Sequence, residues 1–87
     1  MDLIIFDKTF YEATDPSIIN IYNTRLDLPR KYLEIGSIKF EGDVDYVALK
    51  KLASSKGADA LLLDGNNYIL LKFIPVEVPN DEKSKSI

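Results

Sequence analysis

Two residue types that carry much of protein chemistry are missing from this sequence. The chain of 87 residues contains no cysteine and no histidine. Without thiols it can form no disulfide and no thiolate metal site, and without imidazole it has no catalytic triad that uses histidine as the base. We therefore expect neither an enzyme nor a bound cofactor.

Long apolar runs and excess positive charge are missing as well. No stretch approaches the about 18 consecutive apolar residues of a membrane-spanning helix, and residues 1–6 lack the basic start of a signal peptide. The net charge is −3, which gives no long-range attraction to nucleic acid. We expect a cytoplasmic chain as written, or a periplasmic or envelope-associated one if a natural signal segment was removed.

The composition is that of a small globular domain. Hydrophobic residues make up 46% and charged residues 29% of the chain, which is enough apolar material for one core. A chain of this length is too short to enclose a deep site. We predict a single domain over residues 1–79 and a polar tail over residues 80–87.

Residues 32–64 predict a β-α-β unit. The alternation of residues 32–41 changes phase at Gly36-Ser37, which predicts a β-bulge with Gly36 supplying a positive φ. The unbroken apolar run of residues 60–63 favours a strand buried on both faces. We predict that these two strands lie side by side and parallel.

The segment between those strands predicts the principal helix. Apolar residues, including Leu49 and Leu52, recur there at helical spacing. Asp43 is the predicted N-cap, and Gly57 the predicted left-handed residue after the last turn. Asp59 is expected to bond the backbone at the start of the next strand.

Weaker signals complete the predicted fold. Residues 3–6 predict a strand, residues 16–22 a short helix capped by Asp15, and Gly65 a turn into a last strand over residues 68–78. Pro75 should place that strand at an edge or end its pairing. The predicted class is α+β, with a mixed sheet of about four strands, one main helix, one short N-terminal helix and a C-terminal hairpin.

Candidate chemistry is sparse. The acidic cluster Glu41, Asp43 and Asp45 could bind a divalent cation, but capping is the preferred interpretation because no complete calcium loop is present. Asp59 and Asp64 lie about 16 Å apart along a strand, too far to act on one bond.

Several short motifs occur together between residues 14 and 63. They are Thr14-Asp15-Pro16, Pro29 with Tyr32, Glu34-Ile35-Gly36-Ser37-Ile38, Ala48-Leu49-Lys50-Lys51 with Ala53, and Gly57-Ala58-Asp59-Ala60. In this combination the chain resembles small bacterial domains of the YbjQ and RcsF type. The resemblance implies a non-enzymatic α/β domain, often envelope-associated. YbjQ-like relatives form ring-shaped homo-oligomers, and RcsF senses stress through protein contacts. The chain lacks the cysteines and the lipobox of the RcsF type, so the resemblance does not extend to disulfides or a lipid anchor.

The predicted function follows from the predicted layers. One helix can cover only one face of the sheet, so we expect a non-enzymatic protein-interaction or assembly module that self-associates through sheet surface, without nucleic acid or a membrane span. The alternative is a small-ligand or divalent-metal-binding protein that uses the carboxylates near the start of the main helix.

Overall fold

A computed structural model describes residues 1–75, which form a five-stranded mixed sheet and one α-helix. The predicted α+β class is confirmed. Within these residues, no helix combines the length and the apolarity needed to cross a bilayer. The predicted tail and the last residues of the predicted final strand lie outside the described residues. The elements are β1 (Asp2–Ile5), β2 (Asn20–Tyr22), β3 (Tyr32–Lys39), α1 (Tyr46–Ser55), β4 (Ala60–Asp64) and β5 (Asn67–Phe73).

The strand order is β1-β3-β5-β4-β2. β5 pairs antiparallel with both β3 and β4, so these two strands run the same way but are not neighbours. The prediction that they lie side by side is wrong, because the tight turn at Gly65 returns the chain directly alongside β4 and β5 fills the intervening position. The parallel ladder of the described sheet joins β2 to β4.

Pro75 does not place the last strand at an edge. β5 is the central strand, and its ladder ends at Phe73, two residues before the proline. The alternative prediction, that pairing ends near Pro75, agrees with the structure. Pro75, which has no N–H, follows the ladder and does not interrupt it.

The predicted N-terminal helix over residues 16–22 is wrong. Of these residues only Pro16–Ile18 are helical, and they form one 3-10 turn. Asp15 caps this turn, because the Asp15 carboxylate accepts the Ser17 N–H at 2.9 Å. The chain then extends into β2, in keeping with the β-branched run around Ile19, which is buried in the core.

The predicted bulge is present one residue earlier than expected. The register of β3 against β5 shifts between Glu34 and Gly36, which brings Ile35 and Ile38 into the same core cluster. Gly36 does not have a positive φ. A glycine is required there because a Cβ would lie 2.7 Å from the carbonyl oxygen of Ile4 on β1.

Both faces of the central strands are covered within the chain. On the α1 face, Leu49 and Ala53 of the helix pack with Leu61, Leu70 and other core residues, and Leu52 packs at the margin. On the opposite face the cover comes from three aromatic residues and one leucine, so the predicted uncovered apolar face is not found there. The buried residues of that face are Ala60, Leu62, Ile69 and Leu71, and their cover is Tyr22, Leu28, Tyr32 and Phe73.

The end of α1 is held by the segment that precedes β2. Thr14 donates its N–H to the Ser54 carbonyl at 2.8 Å and its hydroxyl to the Ala58 carbonyl. Gly57 lies between these two contacts with a φ of 85°, and a Cβ there would lie 2.9 Å from the Glu12 carbonyl oxygen. Gly57 therefore provides both the left-handed turn and the space for the neighbouring chain.

We expect Gly57→Ala to reduce the free energy of unfolding by about 3 kcal/mol, since a cost of about 1 kcal/mol for the left-handed backbone is joined by overpacking. The matched control is Gly65→Ala, because Gly65 has a φ of 61° but open space around its Cβ position. That control should lose only about 1 kcal/mol. Urea denaturation of both variants measures the difference, and equal losses would show that the packing around Gly57 contributes nothing.

Candidate functional site

Exposed apolar residues occur in several parts of the described chain, and three of them are consecutive at the β1 edge of the sheet. Ile4, Ile5 and Phe6 are consecutive and are 58%, 40% and 53% exposed, and nearby Phe10 is 85% exposed. β1 is an outer strand of the sheet, and within the described residues no strand pairs with its outer side. We call these four residues the β1 edge patch.

The hydrogen bonding of β1 determines which backbone groups face outward. The Phe6 N–H donates to the Ile35 carbonyl at 3.0 Å, one step beyond Ile5 and Gly36, the last pair of the β1–β3 ladder. Because bonded and non-bonded pairs alternate in an antiparallel ladder, Ile4 also bonds towards β3, while Leu3 and Ile5 direct their N–H and C=O groups to the open edge. The patch therefore combines apolar side chains with free backbone donors and acceptors.

A recess of about 280 Å³ adjoins the patch. It lies between the segment after β1, strand β3 and the end of α1. Its apolar wall includes Ile5, Phe10 and Ile35, and its polar lining includes Lys8 and Lys56. It is an open depression beside the edge and extends the apolar surface around Ile5.

Asp7 fixes the shape of the segment that forms this recess. Its carboxylate accepts the Thr9 N–H at 2.9 Å and the Tyr11 hydroxyl at 2.7 Å. The bond from the Thr9 backbone, and after it the bond from Tyr11, lowers the pKa of Asp7, while the bond to Asp7 raises the pKa of Tyr11. At neutral pH the pair is thus an ionised acceptor and a protonated donor, an arrangement that stabilises a loop.

The acidic cluster at the start of α1 is used for capping. The N-cap is Asp45, whose carboxylate accepts the Ala48 N–H at 3.1 Å, so the prediction of Asp43 is wrong. With Asp45 as cap, Val44 before it and Leu49 four residues into the helix both join the core cluster, as in a hydrophobic staple. Among residues 1–75 no three or more acidic side chains converge as metal ligands, so Glu41, Asp43 and Asp45 are not brought together as a metal site.

The two aspartates that flank β4 lie at opposite ends of that strand. Asp59 is half-buried, accepts the Phe73 N–H at 2.9 Å and pairs with the Lys72 ammonium at 3.3 Å. Asp64 pairs with Asn67 at the start of the hairpin. Asp59 therefore fastens the end of β5 to the start of β4, a role like the backbone bonding expected from the sequence.

Ser54, Ser55 and Arg30 also have local partners. The Ser54 and Ser55 hydroxyls donate to carbonyls of their own helix, at Lys51 and Leu52. Arg30 lies over the Phe73 ring at 5.6 Å and donates to the Ile74 carbonyl.

The β1 edge patch was missed by sequence reasoning. Residues 3–6 predict a strand, but their exposure depends on which strand lies beside them. The signal was the break in alternation: Ile4, Ile5 and Phe6 are apolar in succession, although an edge strand with one buried side needs only every second residue to be apolar.

No family model, curated protein or solved structure matches the chain. The resemblance to YbjQ and RcsF domains therefore stays a prediction.

We expect Asp45→Ala to lower the free energy of unfolding by about 1 kcal/mol, because the first turn of α1 loses its cap. Asp43→Ala should change it by less than about 0.5 kcal/mol. Thermal and urea denaturation followed by circular dichroism measure both, and Asp45→Asn should retain most of the stability. A larger loss for Asp43→Ala than for Asp45→Ala would contradict the assignment of the cap.

We expect the pKa of Asp7 to lie below its usual 3.8 in the folded protein. Since the folded pKa is the lower one, the stabilisation by this carboxylate is present above pH 3.8 and is lost as the pH falls through the folded pKa. Tyr11→Phe should raise the pKa only part of the way, because the Thr9 N–H remains. Carboxyl chemical shifts in an NMR titration measure this, and a wild-type pKa of 3.8 or higher would contradict it.

Proposed function

We propose that this chain is a non-catalytic protein-interaction module that assembles with further copies of itself through the β1 edge patch. The observation that supports the proposal is the coincidence of three consecutive exposed apolar residues with a strand edge that no strand within residues 1–75 pairs with. Edges that are not used for association are commonly short, charged or covered. In β1 the charges lie only at the ends, at Asp2 and after Phe6.

The location differs from the sheet surface expected from the sequence. The face opposite α1 has its own aromatic cover, so its apolar residues need no partner. The other sheet edge, β2, is only three residues long and begins with the exposed Asn20. The β1 edge is therefore the better supported surface for association.

The contacts of the polar residues support a role without catalysis. Asp45 caps a helix, Asp59 binds the backbone of β5, and the hydroxyls of Ser54 and Ser55 bond within α1. Each of these groups has a structural partner in its own helix or in the neighbouring strand. One oxygen of the Asp45 carboxylate, a candidate ligand in the alternative metal site, accepts the Ala48 N–H.

Sedimentation velocity over a wide range of protein concentration tests the proposal. We expect the wild-type chain to sediment above its monomer mass of 9.8 kDa as its concentration rises. Ile4→Lys with Phe6→Ser should weaken association about tenfold or more, because burial of each apolar side chain is lost and a charge is placed at the edge.

The matched control is Val47→Lys, which changes an equally exposed apolar residue (65% exposed) on α1. It should leave the sedimentation of the protein unchanged, and circular dichroism should show that all variants are folded. A wild-type protein that is monomeric at every concentration, or an equal loss of association in Val47→Lys, would overturn the proposal.

A further inference from the structure

We propose that β1 pairs antiparallel with β1 of a second copy, about a two-fold axis at Ile4, and so joins two sheets into one. This inference rests on the proposed function and deepens it, because it names the element of the partner and the symmetry of the assembly.

The backbone pattern of β1 is self-complementary. Leu3 and Ile5 direct their N–H and C=O groups outward, on either side of Ile4. An antiparallel second copy places its Ile5 opposite Leu3 and its Leu3 opposite Ile5, and each of these pairs exchanges both backbone hydrogen bonds. The same surface serves both copies, so the contact closes at a dimer.

The side chains fit the same register. Ile4 of one copy lies opposite Ile4 of the other in a non-bonded pair, where side chains approach most closely. Asp2 lies opposite Phe6 of the second copy. The even-numbered apolar side chains of both copies therefore share one face of the joined sheet.

The charges at the two ends of the edge favour the antiparallel direction. Asp2 stands at the start of β1 and the exposed Lys8 follows its end, while the Asp7 carboxylate is held by Thr9 and Tyr11. Antiparallel pairing brings the acidic end of one copy towards the basic end of the other. Parallel pairing would set Asp2 against Asp2, which like charges oppose.

The apolar area is that of a weak, transient dimer. With about 200 Å² for each large side chain when fully exposed, the exposed fractions of the four residues of the β1 edge patch correspond to about 470 Å² on each copy. Two copies therefore offer at most about 950 Å², close to the about 1,000 Å² of a specific interface. We expect a dimer that dissociates on dilution.

Disulfide trapping tests the register, because the chain has no cysteine and a single introduced thiol can only link two copies. In the proposed register the Cα atoms of the two Ile4 residues lie about 4.5 Å apart, within the range of a disulfide. The two Asp2 residues lie about 14 Å apart. Under mild oxidation, Ile4→Cys should form covalent dimer at least tenfold faster than Asp2→Cys or the helix control Val47→Cys.

Disulfide formation in a mixture of the Asp2→Cys and Phe6→Cys variants is a second test of the register, and it leaves Ile4 unchanged. These positions are opposite one another, so the mixed dimer should form rapidly while Asp2→Cys alone should not. Sedimentation of the wild-type chain is measured alongside. A wild-type chain that stays monomeric would overturn both proposals. If the wild-type chain associates, rapid disulfide formation by Asp2→Cys alone, or by no pair of variants, would overturn only the two-fold antiparallel arrangement.

Discussion

The pairing of β5 on both of its edges is the interaction on which the sheet depends. β3 is bonded to one side of β5 and β4 to the other, and β1 and β2 are joined to the sheet only through these two neighbours. Successive residues of β5 also face opposite cores, with Leu70 on the α1 side and Leu71 on the other. A single seven-residue strand thus links both ladders and both hydrophobic clusters.

The central position of β5 also determines where apolar surface remains. Because β3, β5 and β4 occupy the middle, β1 and β2 become the edges. The aromatic residues Tyr22, Tyr32 and Phe73 cover the face that α1 does not reach. Within residues 1–75, the run Ile4 to Phe6 remains exposed at an edge that no strand of the described sheet pairs with, and the proposed interaction surface is therefore a sheet edge and not a sheet face.

The hairpin turn and the bulge, which depend on a few adjacent residues, were predicted, and the arrangement of the strands, which depends on distant neighbours, was not. The turn at Gly65 and the change of phase near Gly36 each depend on a few adjacent residues, and both are present in the structure. The separation of β3 from β4 depends on a strand that follows both of them in sequence. The choice of Asp45 over Asp43 as the N-cap depends on whether the preceding residue reaches the core. The exposure of the β1 edge patch depends on the lack of a neighbouring strand among the described residues. Sequence spacing alone therefore predicts neither the cap nor the patch.

The location of β5 near the end of the described residues has a consequence for synthesis on the ribosome. A nascent chain that has emerged only as far as β4 lacks the strand to which β3 and β4 must both bond. Its leucine-rich β4 then has no antiparallel neighbour and stays open to solvent or to a chaperone until the hairpin is complete. On the ribosome, the five-stranded sheet therefore cannot be completed before residues 67–73 have emerged from the exit tunnel.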